Sequence, residues 1–171
     1  TVTNGVCCRH RIDREIGGCG RGPVCLAHDR RHGRQVSLKL LAPQVAAQLS
    51  DERFLREIRV IASLSHPHIL PLLDSGRLDA AAGSSAGQPW FVMPFVAGES
   101  LRTRLDRERQ LPLESAAQII REVAAAPDFA HAHGVVHRDI KPENLLLFAG
   151  RAMVADFGIA RAPGPEGEGM T

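Results

Sequence analysis

The sequence predicts an α+β fold in which a small sheet-rich lobe is followed by a mainly helical one. Three observations carry this. Short segments with strand alternation and hairpin punctuation fill the first third of the chain. One strongly amphipathic helical pattern interrupts them just after residue 50, and two further strand patterns follow it. Near residue 97 the character changes, and helical spacing dominates until a last pair of short strands. The 171 residues are 44% hydrophobic and 23% charged, an ordinary globular composition on a chain long enough to bury a core.

The elements follow in order. Residues 11–17 and 22–29 read as strands around the glycine-rich stretch "IGGCGRGPV", Ile16 to Val24, forming a hairpin. In "GRQVSLKLL" (33–41), Val36, Leu38 and Leu40 point one way, Ser37 and Lys39 the other. Ser50 is placed as a helix N-cap with Asp51 and Glu52 in the first turn. Phe54, Leu55, Ile58, Ile61 and Leu64 then recur at helical spacing, and Pro67 ends the helix. "HILPLLDSGRL" and "PWFVMPFV" read as two more strands, separated by the small-residue loop "DAAAGSSAGQ". "ESLRTRLDRE" is a short polar helix. "LPLESAAQIIREVAAAPDFAHAHG" is a longer one, opening near Pro112. Pro127 lies inside it; an interior proline costs on the order of 3 kcal/mol, which predicts a kink or an early break. "ENLLLFAGRAMVADFG" gives two short strands joined at Ala149-Gly150, and the tail "APGPEGEGMT" reads as disordered.

Composition excludes several classes. A net charge of +2 is too mild for nucleic acid as the main partner. No run of about 18 apolar residues is present, so no membrane segment is expected. The N-terminus lacks the layout of a signal peptide, which points to a cytoplasmic setting, with a membrane anchor outside this stretch of sequence kept open. Cys7, Cys8, Cys19 and Cys25 include no C-x-x-C pair, so free thiols are expected rather than zinc.

Two charged residues resist a bland fold. At 100° per residue, Glu57 falls inside the apolar arc that runs from Leu64 through Ile61 and Phe54 to Leu55. A carboxylate facing a core is expensive unless paired. Lys39 lies close to the buried face of its strand. Pairing of Lys39 with Glu57 resolves both; the alternative is two long side chains reaching solvent independently.

"HRDIKPENLLL" followed by "ADFG" is the most informative stretch. His137-Arg138-Asp139-Ile140-Lys141-Pro142-Glu143-Asn144 resembles the catalytic loop of protein kinases, and Asp156-Phe157-Gly158 their metal-binding motif. "VSLK" resembles the lysine strand, with Lys39 as its lysine and Glu57 as the helix glutamate that pairs with it. "FVMPFVAGESL" and "HAHGVVHRDIKPEN" are similar to bacterial serine/threonine kinases. The resemblance implies a protein-kinase-like two-lobe fold with a complete N-lobe, an antiparallel sheet plus one main helix, and the first part of a helical C-lobe. Its implied boundaries are an extension over 1–9, N-lobe and hinge over 10–96, partial C-lobe over 97–161 and the start of an activation loop over 162–171.

The implied activity is ATP-dependent phosphoryl transfer to Ser/Thr hydroxyls of proteins, with ATP and Mg²⁺ as cofactors. Asp139 would orient or deprotonate the attacking hydroxyl. Lys141 would contact the transferring phosphate, and its place favours Ser/Thr over Tyr. Asn144 and Asp156 would hold Mg²⁺, and Lys39 would grip the α- and β-phosphates. Met93 would stand behind the adenine; Pro94 would offer its C=O, and Val96 its N–H and C=O. Ile16, Val24, Ser37 and Leu146 would line the adenine slot, and Ser100 would reach the ribose. Gly17, Cys19 and Gly22 would take the three glycine positions of a phosphate lid, with the N–H groups near Gly20 and Arg21 facing the β- and γ-phosphates. Arg138 resembles the arginine that receives a phosphorylated activation loop, for which Thr171 is a candidate phosphosite. His137 would be structural, while His131 and His133 close a helix. Cys19, Pro23 and Pro127 depart from the family pattern, and the chain stops thirteen residues after Gly158. These departures imply an incomplete domain with exposed apolar surface, and keep a nucleotide-binding pseudokinase as the alternative.

Overall fold

The computed structural model describes residues 9–19, 22–47, 50–79 and 85–157. The expectations placed on Cys7, Cys8, Gly20, Arg21, Gly158, Thr171 and the tail lie outside them, as does the side chain of Cys19. Five strands form the first sheet: β1 (His10–Cys19), β2 (Gly22–Asp29), β3 (Arg34–Leu40), β4 (Asp74–Arg77) and β5 (Pro89–Pro94). Their spatial order is β1-β2-β3-β5-β4, every neighbour antiparallel. Helix α1 (Pro43–Ala46), which the sequence reading missed, precedes α2 (Asp51–Ala62). Pro43 at its first position was the available signal.

Alternation on β3 sorts the lobe. Val36, Leu38 and Leu40 enter one cluster with Ala27, Trp90 and Val92. The opposite face carries Ser37 and Lys39, opposite Met93 and Phe91 across the ladder. Phe91 is buried there with Leu41, Phe54 and Ile58, which docks α2 on this face. Each such aromatic or aliphatic side chain contributes about 1.5–3 kcal/mol on burial. Ser50 caps α2 as expected, accepting from the Arg53 N–H at 3.4 Å. The apolar arc is narrower than its sequence suggests, because Leu55 is 51% exposed.

The second lobe begins with β6 (Glu99–Ser100), α3 (Leu101–Glu108) and α4 (Leu113–Ala132), followed by a 3₁₀ turn over Pro142–Asn144, β7 (Leu145–Phe148) and β8 (Arg151–Val154). Strands β6, β7 and β8 form the second sheet. Ala149 and Gly150 have φ of 48° and 74°, the left-handed pair of a tight hairpin turn. Helix α4 does not break at Pro127 but runs on to Ala132. Its flanking residues Ala126 and Ala130 are fully buried against Ile61, Leu64, Leu145 and Val154, and this packing holds the helix where the lost backbone bond would end it. Pro112 stands at the N-cap rather than inside the first turn.

The segment read as a strand over 68–78 pairs as one only at Asp74–Arg77. Its first residues do something else. Val154 donates to the His68 carbonyl at 2.8 Å, Leu70 donates to the Val154 carbonyl at 2.9 Å, and Ile69 bridges Val154 in parallel. The linker of the first lobe is thus pinned to β8 of the second. The strand read as "PWFVMPFV" likewise stops at Pro94, leaving 95–97 to connect the lobes.

Candidate active site

Strand β3 delivers Lys39 to the interior at 5% exposure, opposite Val24 on β2 and Phe91 on β5. Its ammonium does not meet Glu57. It forms an ion pair with Asp156 Oδ2. Glu57 Oε1 accepts from Arg53 Nε at 2.8 Å, one helical turn back, while Glu57 Oε2 is buried with no partner. The expected Lys39–Glu57 pair is therefore absent, and each residue has taken the other charge within its reach. Sequence placed both near a core but could not say which of two acids and two bases would meet.

The loop after α4 is organised by His137, 2% exposed. Its Nε2 lies 2.8 Å from the Ala155 carbonyl, so that nitrogen carries the proton. Nδ1 is then the acceptor for the Asp139 N–H at 3.2 Å. The ring also stands edge-on to Phe157, with centroids 4.6 Å apart. Asn144 is 7% exposed; its Nδ2 donates to the Asp139 carbonyl at 2.8 Å and to Asp139 Oδ2 at 3.0 Å. Lys141 Nζ lies 3.2 Å from the same Oδ2. Two donors thus converge on the Asp139 carboxylate and fix its direction. Arg138 and Asp156 both adopt left-handed φ, 62° and 63°. Such non-glycine positions cost on the order of 1 kcal/mol each. The bonds of His137 and the Ala155 N–H to Asn144 carbonyl bond at 2.9 Å hold the two segments together around them.

Because the Asp139 carbonyl can only accept, the amide of Asn144 is oriented with Nδ2 inward, and its Oδ1 remains as an acceptor. One amide oxygen and the Asp156 carboxylate are hard donors suited to Mg²⁺, which completes its shell with phosphate and water. No group of three or more His, Cys, Asp or Glu suited to a metal occurs among the described residues. The donor set therefore fits a cation bound together with a nucleotide, once Asp156 is released from Lys39.

The apolar candidates separate into two groups. Met93, 8% exposed, packs with Leu70 and Ala155, and half-buried Val96, Leu146 and Met153 close on them. Met93, Val96 and Leu146, three of the residues expected around the adenine, thus share one cluster. Ser37 pairs across from Met93. Pro94 ends β5. Ile16 and Val24 are half-buried on the hairpin, outside that cluster. In the hairpin, Gly17 pairs with Val24, Gly18 with Pro23 and Cys19 with Gly22. A side chain at Gly17 would meet nothing within 4 Å, whereas at Gly22, with φ of 118°, it would collide with the Leu40 carbonyl. Gly22 is thus required by packing on β3, a role the sequence reading missed. The Ser100 hydroxyl caps α3, accepting from the Thr103 N–H at 3.1 Å. Arg138 is exposed. His133 closes α4 as expected, its Nδ1 lying 2.8 Å from the Phe129 carbonyl. Cys25 is buried and free; burial, with Glu15 adding, pushes its thiol pKa up.

A family model described as a protein kinase domain matches residues 10–170. Serine/threonine-protein kinase PknD of Mycobacterium tuberculosis is 40% identical over 160 residues, covering 92% of this chain and 23% of PknD. PknB of Mycobacterium tuberculosis is 36% identical over 165 residues, covering 95% of this chain and 26% of PknB. The crystal structure of the Mycobacterium tuberculosis PknI kinase domain superposes with a TM-score of 0.78 at 37% identity, covering 95% of this chain and 65% of that one. The chain thus spans about a quarter of the length of these curated relatives.

Proposed function

The chain belongs to the protein kinase family, and on that premise we propose that it carries out ATP-dependent phosphoryl transfer to serine or threonine hydroxyls of proteins. The observation that carries this reading is the Asp139 carboxylate, held by Asn144 Nδ2 at 3.0 Å and Lys141 Nζ at 3.2 Å. A substrate hydroxyl directed at Asp139 would be oriented there and give its proton to the carboxylate as its oxygen bonds to the γ-phosphorus of ATP, while the bond from that phosphorus to the β,γ-bridging oxygen breaks and ADP leaves. Lys141, on the same oxygen in the free protein, is positioned to turn to the phosphoryl group in flight. Bound Mg-ATP supplies the phosphoryl donor and neutralises its charge. Asn144 Oδ1 and Asp156 would hold the cation, and Lys39, released from Asp156, would turn to the phosphates. The cluster of Met93, Val96 and Leu146 takes the flat apolar base, with Pro94 and Val96 offering backbone groups and Ser37, Ile16 and Val24 completing the slot. The strands that end at Cys19 and begin at Gly22 would lie over the phosphates. Arg138 and Thr171 stand as the regulatory pair, and the kinase domain works in the cytoplasm, either free or tethered by an anchor outside this chain.

The test is transfer from radiolabelled ATP to a generic protein substrate, together with Mg-ATP stabilisation of the fold. Asp139→Asn is expected to lower transfer about 10²–10⁴-fold while keeping the nucleotide-induced rise in melting temperature. Lys39→Ala is expected to lose that rise. Equal transfer by Asp139→Asn and the parent refutes the enzyme reading. Stabilisation by Mg-ATP with background transfer in the parent selects the pseudokinase.

A further inference from the structure

Four charged side chains on β3, α2 and the segment after β8 pair in an unexpected way. Lys39 takes Asp156, and Arg53 takes Glu57. The second pair leaves a mark, since Glu57 Oε2 is buried without a partner while Oε1 is engaged. A half-satisfied buried carboxylate is poorly placed for a merely structural pair. Arg53 is also N-terminal to Glu57 on the helix, the less favourable order for an i,i+4 pair. Lys39 is 5% exposed, so its partners come from the few anions within the lobe interface.

We infer that Arg53 is a positioning residue that competes with Lys39 for Glu57 and so sets how readily the nucleotide site assembles. With Arg53 on Glu57, Lys39 pairs with Asp156, and the oxygen needed for a cation is covered. When Arg53 lets go, its guanidinium reaches solvent, since the side chain is 23% exposed, and Glu57 is free to accept from Lys39 through the oxygen that now lacks a donor. Asp156 is then released. One arginine on the helix surface thus controls a carboxylate it never touches. This inference rests on the proposed nucleotide site for its consequence, but the exchange of partners is a property of the free protein.

The experiment is a thermal-unfolding cycle on the 171-residue chain, paired with Mg-ATP affinity. In the parent, Lys39→Met and Glu57→Gln are expected to shift the melting temperature additively, because the two side chains do not meet. In an Arg53→Gln background the same two changes are expected to become non-additive, because the Lys39–Glu57 pair has formed. Arg53→Gln should tighten Mg-ATP binding by about 1.5- to twofold, the hold of an i,i+4 pair, and Glu57→Gln should erase that gain. Arg53→Lys keeps the charge and should restore the parent's behaviour in both readouts. Additivity in the Arg53→Gln background, or unchanged or weaker Mg-ATP binding by that variant, overturns the inference. Should neither parent nor variants bind Mg-ATP, the kinase reading fails, and the cycle without nucleotide still decides the role of Arg53.

Discussion

At the scale of single residues, His137 fixes three positions with one neutral imidazole. It donates to the Ala155 carbonyl, accepts from the Asp139 N–H and stacks edge-on against Phe157. Replacing it with leucine removes both hydrogen bonds, at a cost of about 2–4 kcal/mol. Denaturant unfolding of His137→Leu should show that loss; a change under about 0.5 kcal/mol would show that the two segments are held by other bonds. Much of this loop was legible in its residue types, since an H-R-D-x-K-x-x-N spacing constrains chemistry tightly. Gly22 was not legible in the same way. Its glycine was assigned to phosphate, and the structure shows that its own backbone conformation and the Leu40 carbonyl already demand it. Lys39 and Glu57 were legible as charges in need of partners. Which partner each takes depends on the placement of α2 within about an ångström, and no sequence pattern encodes that.

At the scale of elements, α4 shows packing overriding propensity. Pro127 removes one backbone donor, yet the helix continues because Ala126 and Ala130 are buried on either side of it. The penalty is still present, so Pro127→Ala should stabilise the protein by about 1–3 kcal/mol, raising the melting temperature by roughly 3–10 °C. A fall in melting temperature would mean that the helix is shaped around the proline ring. Periodicity located α2, β3 and the β7–β8 hairpin well, because each buries a regular face. It overextended β4. The apolar run from Ile69 to Leu73 looks like a strand, but Ile69 and Leu70 enter two different cores and bond to Val154 across the lobes. An apolar run reports burial, and only tertiary structure reports against what.

At the scale of the whole molecule, acid should act in two stages. Burial lowers the pKa of His10, with Arg9 adding, against the pull of Asp29 and Asp74. Burial likewise lowers His66, with His68 adding. Both groups bind protons more readily in the unfolded chain, whose histidines titrate near 6.5, so stability falls as pH drops below that value. Asp29 answers at lower pH. Its burial pushes the carboxyl upward, but bonds from His32, Arg9 and the backbone of Arg31 and His32 outweigh that and hold it far below the usual range. Its stabilisation is present above the ordinary carboxylate pKa and is lost below it. Melting temperature against pH should fall first between about 6.5 and 5 and again below about 4. His10→Phe should flatten the first limb; an unchanged slope would place the effect elsewhere.

The lobes are joined by two chain segments, and this has a mechanical consequence. A single tether permits swivelling in every direction, like a ball joint. Here residues 95–97 form one attachment, and His68–Leu70, bonded along β8, forms another. Two fixed points leave one easy motion, rotation about the line between them, as a door turns on two pins. Leu70 and Val96, one beside each pin, belong to the same cluster as Met93 and Leu146. Residues nearest that line move least as it turns, so a swing of one lobe against the other leaves the cluster of Leu70, Met93 and Ala155 assembled.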